Sequence, residues 1–211
     1  MEKAEERLPE MERPQWPDPF FSRPARVLTT RHPCPARADL YVCTTYFNSQ
    51  RYRARLKLIQ DFARRVHQAG AKLCVAEIAF GHRRFVLGDG AVPELDVYLP
   101  LESSDELWLK ENALNLLIQR LPLTWQYGCW VDSDVRFAAD DWANSTVQAL
   151  QHYDWLQMWA EAIDLGPQNE MLTRYHSFVW SWRHDIPPGN GYYTIPGPGP
   201  HFWHPGFDWA F

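Results

Sequence analysis

Strand, helix, strand: the first patterned stretch of this chain is written in that order, and few folds accept it. Leu40-Tyr41-Val42-Cys43-Thr44-Thr45 is a β-rich run that reads as a buried strand ending in polar residues. From Ser49 to about Ala69 the apolar positions Leu56, Ile59, Phe62, Ala63 and Val66 recur every three or four residues, the period of an amphipathic helix, and Gly70 follows as a stop. Ala71 to Glu77 is a second strand that runs on into Ile78-Ala79-Phe80-Gly81. Such an order forms a βαβ unit, whose two strands are parallel.

A loop or short hairpin is expected from Arg83 to Gly90, then a third short strand at Leu95-Asp96-Val97-Tyr98-Leu99-Pro100. Ser104 is placed to cap a helix that starts near Asp105 and buries Leu107, Leu114, Leu117, Ile118 and Leu121 before Pro122 ends it. The fourth strand, Tyr127-Gly128-Cys129-Trp130-Val131, terminates on Asp132-Ser133-Asp134. Asp140-Asp141-Trp142 opens a helix to about His152, and Trp155 to Trp159 resembles a further strand. Beyond Asp164 the pattern loosens, and the Pro- and Gly-rich stretch from Pro187 to Pro205 predicts a long C-terminal loop. Residues 1–38, rich in Pro, Glu and Arg and without a hydrophobic period, predict a flexible arm. That leaves 39–211 as one α/β domain, a Rossmann-like, mostly parallel sheet flanked by helices.

A formal net charge of −5 exerts no global pull on nucleic acid, whose phosphates demand a basic surface. The densest basic run, Arg51, Arg53, Arg55 and Lys57 followed by Arg64 and Arg65, reads as the solvated face of the first helix. Cys34, Cys43, Cys74 and Cys129 lack the paired close spacing of a zinc site and read as reduced, buried small hydrophobes. No apolar run reaches the roughly 18 residues of a membrane span, and the acidic, polar N-terminus is unlike a secretion signal, so a cytoplasmic protein is expected. Phosphate-loop, nucleophile-elbow and His-Glu-X-X-His motifs are missing, which removes the support for three common enzyme classes. Eleven Trp among 211 residues exceed what a core needs, and their faces suit either sugar rings and bases or a Trp-rich core.

Asp132-Ser133-Asp134 is the chemistry-bearing motif. Two carboxylates one residue apart at a strand end can point to the same side of an extended chain, which suits a hard divalent cation. Mg²⁺ or Mn²⁺ typically takes one or two carboxylates and completes its shell with water and substrate phosphates. A diphosphate held in this way leaves more readily, because the charge that grows as its bond breaks is neutralised. In an open α/β sheet ligands bind beyond the carboxyl ends of the strands, where this motif falls. By itself, Asp-X-Asp also caps helices and closes turns.

A strand ending in polar residues, a second ending in an acid, a helix bearing Lys110-Glu111-Asn112-Ala113-Leu114-Asn115, and a hydrophobic strand into Val131-Asp132-Ser133-Asp134-Val135 follow one another in this chain. That order resembles the GT-A glycosyltransferases, the nucleotide-diphosphosugar transferase superfamily, over roughly Leu40 to Phe211. The resemblance implies a GT-A-like fold and transfer of a sugar from a nucleotide-diphosphate donor, a UDP- or GDP-sugar, to a hydroxyl acceptor with Mn²⁺ or Mg²⁺. It implies Thr44, Thr45 and Tyr46 around the donor's base and Glu77 on a base N–H or the ribose. It also implies Lys110 and Asn115 facing the donor, and Asp132 and Asp134 on the metal, with Asp132 touching the donor as well.

The run from His201 to Ala210 resembles the family's Gly-containing acceptor loop. It implies Trp203, His204, Gly206 and Trp209 on the acceptor side, and Asp208 as catalytic base if the reaction inverts. His201 or His204 could serve as metal ligand or base. Simpler roles stay open: Glu77 as a surface acid, Tyr46 as a core aromatic, Glu111 as a helix acid, and Asp208 as the cap of a helix beginning at Trp209. With its end at Phe211, the chain is expected to lack the family's last elements, as a fragment or as a site completed by a partner. Two other functions stay open. A sugar-phosphate nucleotidyltransferase would usually carry a Gly-rich, basic loop where Thr44-Thr45-Tyr46-Phe47-Asn48 stands; a non-catalytic nucleotide-sugar- or carbohydrate-binding remnant is the other.

Overall fold

The computed structural model describes residues 39–88, 90–184, 203–204 and 208–211, with the backbone alone at 181 and 203–204. The N-terminal arm, most of the Pro/Gly-rich stretch, Cys34, His201, Gly206 and the side chains of Trp203 and His204 lie outside the described residues. The elements are β1 (Leu40–Phe47), α1 (Arg53–Gln68), β2 (Lys72–Phe80), β3 (Val97–Ser103), α2 (Lys110–Ile118), β4 (Tyr127–Trp130) and α3 (Trp142–Leu150). They continue with β5 (Leu156–Gln157), β6 (Glu161–Leu165), β7 (Met171–Ser177), α4 (Phe178–Arg183), β8 (Trp203–His204) and β9 (Trp209–Ala210). None of the described helices is long and apolar enough to cross a membrane.

The main sheet has the order β3-β2-β1-β4-β9-β5. β3, β2, β1 and β4 are parallel, while β9 runs antiparallel between β4 and β5. The chain builds outward from β1 to β3, then returns past β1 to lay down β4. Because parallel crossovers keep one hand, a reversal of direction moves the crossover to the other face of the sheet. The packing obeys this. Ile59, Phe62, Ala63 and Val66 of α1, and Ala143, Val147 and Leu150 of α3, share a core with Leu40, Val42, Leu73, Val75 and Cys129. Ala113, Leu114 and Leu117 of α2 cover the opposite face with Cys43, Cys74, Ala76 and Ile78. Strand residues thus alternate between two apolar layers, which is why β1 and β2 read as continuous apolar runs. The described cysteines, Cys43, Cys74 and Cys129, are buried and free, as expected.

Local signals account for most boundaries. α1 ends in a Schellman turn: Gly70 takes a φ of 77°, its N–H reaches the His67 carbonyl at 2.9 Å, and the Ala71 N–H reaches that of Val66 at 3.1 Å. Its start lies later than the period suggested. Asn48 closes a turn by accepting from the Tyr52 N–H at 2.8 Å and donating to the Tyr52 carbonyl at 2.9 Å, with Arg51 at a φ of 53°.

Three expectations are corrected. The second helix begins at Lys110 rather than near Asp105, and Leu107 is exposed. Ser103 Oγ bonds the backbone of Asp105 instead, a side-chain-to-backbone contact that competes with helix formation. The loose region beyond Asp164 holds a hairpin of β6 and β7, closed by Gly166 N–H to the Glu170 carbonyl at 2.8 Å, and β7 also pairs with β8. Its strands are largely exposed on both faces, so no alternation marks them. Finally, Trp209-Ala210 is a strand and not the start of a helix: Ala210 sits opposite Cys129 on one side and Leu156 on the other.

Candidate functional site

The order β2-β1-β4 makes the space between β1 and β4 a topological switch point, because the crossover that follows β1 covers one face of the sheet and the crossover that leads into β4 covers the other. In open α/β sheets ligands bind in the crevice beyond the strand ends at such a point. Asp132-Ser133-Asp134 stands at that point. The Val131 N–H still reaches the Cys43 carbonyl at 3.0 Å, and the Val135 N–H turns back to the Asp132 carbonyl at 3.2 Å. The motif is therefore a tight turn rather than the extended segment expected. The turn, and not strand alternation, sets the two carboxylates near each other.

Two distant segments meet this turn. Asp208, just before β9 and 1 % exposed, accepts the Asp132 N–H through Oδ1 at 3.0 Å. Lys110, at the first position of α2, forms an ion pair with Asp132 Oδ1. A cation at a helix N-terminus opposes the helix dipole. The Asp132 carboxylate offsets that locally unfavourable choice.

The electrostatics follow from three carboxyls sharing one corner. Asp134 is solvent-exposed yet loses hydration to the walls around it; this loss first, and the Asp132 charge second, push its carboxyl up. Burial pushes Asp208 well above the ordinary carboxylate range, against the Asp132 N–H bond that lowers it, and the charges of Asp132 and Asp134 add to the rise. Lys110 lowers both groups.

The other sequence-derived candidates separate. Thr44 and Thr45 are buried in β1, and the Thr44 hydroxyl has no hydrogen-bond partner among the described residues. Tyr46 is 4 % exposed and part of the α1-side core, with its hydroxyl 3.5 Å from Asn48 Nδ2. Glu77 is buried at 3 % exposure and engaged by the chain itself. Oε1 accepts the Val86 N–H at 2.6 Å, and Oε2 accepts the Leu87 N–H at 3.0 Å and the Tyr98 hydroxyl at 2.7 Å. Asn115 is exposed, five residues beyond Lys110 and so about 140° around the helix from it. Trp209 pairs with Trp130 and Gln157 in the sheet, on the face opposite Asp208.

The basic run from Arg51 to Arg65 is exposed, as expected of a solvated helix face, and one of its residues also reaches the strand end. Arg55, in the first turn of α1, donates from Nη1 to the Phe47 carbonyl at 3.3 Å, and its charge lowers Asp134. The sequence signal that could have found it is a first turn with arginines and no acid.

Among the described residues no three His, Cys, Asp or Glu side chains group as a metal shell. Asp132 and Asp134 do supply the one or two carboxylates that Mg²⁺ or Mn²⁺ takes when phosphates complete its shell. Lost hydration first and repulsion from Asp132 second raise Asp134, and a cation there would offset both. The pair thus fits an ion delivered with a phosphate-bearing ligand, not one held in an all-protein cage. No protein-family model matches the chain, and comparison with curated proteins and with solved structures finds no match.

Proposed function

We propose that this chain is a GT-A-like glycosyltransferase domain that moves a sugar from a nucleotide-diphosphate donor to a hydroxyl acceptor. The observation that carries the reading is the Asp132–Asp134 turn at the β1/β4 switch point with the Lys110 ammonium on Asp132. Asp132 and Asp134 would hold Mn²⁺ or Mg²⁺, which when bound neutralises charge on the departing diphosphate. Lys110 adds a point charge on a flexible stem, able to exchange its carboxylate partner for phosphate oxygens. Asp208 positions Asp132 through the backbone N–H; to deprotonate an acceptor it would first have to be uncovered. That enclosure favours one rival, a nucleotide-sugar-binding domain without turnover.

Calorimetric titration with UDP- and GDP-sugars, with and without Mn²⁺, tests the reading alongside an assay of nucleotide release. The expected result is metal-dependent binding that weakens about ten-fold or more in Asp132→Asn and Asp134→Asn, as loss of a charged ligand implies. Binding that survives both substitutions together refutes the metal site. Binding without release or transfer selects the rival.

A further inference from the structure

Phe47 ends β1 beside the switch point and is met both from α1 and from the segment that leads into α2. On one side the Arg55 guanidinium lies over its ring, 5.6 Å from the centroid, and bonds its carbonyl. On the other, Trp108 meets the ring edge-on at 5.9 Å, two residues before Lys110. Phe80 supports it from β2 at 6.5 Å. The ring therefore holds an arginine at the end of β1, where its charge and that of Lys110 both reach Asp134.

Half of the described lysines and arginines form an ion pair. Arg64, Arg65 and Arg136 share Asp61; Arg83 pairs with Glu106, Lys72 with Asp96, Arg174 with Glu161 and Lys110 with Asp132. Arg55 forms no ion pair of this kind among the described residues, and a single backbone carbonyl uses one of its five N–H donors. It also stands in a helix's first turn, where a cation opposes the dipole and the turn itself holds no acid; the acid its charge does reach is Asp134 of the carboxylate turn. A cation set against its own helix dipole, beside the carboxylates that would carry a phosphate-bound ion, is placed to meet the same ligand's negative charge. A guanidinium fork with free donors matches two phosphate oxygens in geometry as well as charge.

We propose that Arg55, held by Phe47, is a binding residue for the diphosphate of the donor, facing Lys110 across the crevice. The assignment rests on the donor reading above. Its consequence is a preference for nucleoside diphosphates over monophosphates that resides in Arg55.

Calorimetry with UDP, UMP, GDP and GMP in the presence of Mg²⁺ tests it on wild-type protein, Arg55→Met and Arg55→Lys. Arg55→Met keeps the aliphatic stem against Phe47, and the expected result is a diphosphate-to-monophosphate affinity ratio lower by about ten-fold, with Arg55→Lys recovering part of it. An unchanged ratio in Arg55→Met, with the wild type binding diphosphates, overturns the proposal and leaves the donor reading standing. Equal loss of mono- and diphosphate binding also overturns it, because a purely structural role has that effect. If the wild type binds none of the four nucleotides, the donor reading itself fails, and this assignment with it.

Discussion

Glu77 offers the sharpest test of what holds the crevice in place. Its two oxygens accept three internal donors, two of them backbone N–H groups of the loop that joins β2 to β3. In Glu77→Gln the amide oxygen can replace Oε2 and keep Leu87 and Tyr98, but the amide nitrogen then faces the Val86 N–H, donor against donor. One charge-assisted bond is lost and two are weakened to neutral ones, which together cost about 2–3 kcal/mol. Urea unfolding read by tryptophan fluorescence should show a lower midpoint at an unchanged slope. Amide exchange at Val86 and Leu87 should rise more than in the core strands, because the loop gains a local opening route. Nucleotide affinity, corrected for the folded fraction, should stay within about three-fold of wild type if Glu77 acts on the loop alone. A loss under about 1 kcal/mol with unchanged exchange at both amides would refute the anchoring argument. A large drop in nucleotide affinity at unchanged stability would return Glu77 to the donor.

Two further outcomes are expected. A Cβ on Gly88 would lie 2.9 Å from Tyr98 Cε1 and 3.1 Å from its hydroxyl, so Gly88→Ala must move a ring already tethered to Glu77. A cost of about 1–2 kcal/mol is expected, and it should largely vanish in a Tyr98→Phe background, where the tether is gone; equal cost in both backgrounds contradicts the coupling. Asp96 anchors the start of β3, accepting the Leu73 N–H and a His67 ring nitrogen at 2.8 Å each and lying 3.4 Å from Lys72 Nζ. Burial raises its carboxyl, but those bonds and charges outweigh it, and the group rests below its ordinary 3.8. A depressed carboxyl stabilises the fold above its ordinary value and ceases to as pH falls through the depressed one. Asp96→Asn should therefore cost about 1 kcal/mol at pH 7 and progressively less below about pH 4, whereas a pH-independent difference in unfolding midpoint contradicts the assignment.

What could be read in the sequence was what repeats locally. β1, α1 and β2 carry periods of two layers and one helical stripe over many residues, and Gly70 marks a stop whose two hydrogen bonds close within five residues. The metal-type motif was legible for the same reason, being contiguous. Arg55 was not, since its neighbours in sequence are exposed basic residues and only the path of β1 brings Phe47 beneath it. The hairpin of β6 and β7 was hidden because it buries little on either face.

β9 shows the limit most clearly. Two residues carry no period, and Asp208-Trp209-Ala210 is as good a helix start as a strand by local propensity. Its conformation is set by a gap: β4 and β5 each present an edge, and a strand between them satisfies both rows of backbone groups at once. Filling that gap delivers Asp208 to the Asp132 N–H across 76 residues of chain. The same event that completes the sheet therefore shapes the turn at its end. The carboxyl corner is a product of topology, with Lys110 arriving from the helix before β4 and Asp208 from the strand beside it. A motif of three residues could announce the site, but only the strand order could say which distant groups would surround it.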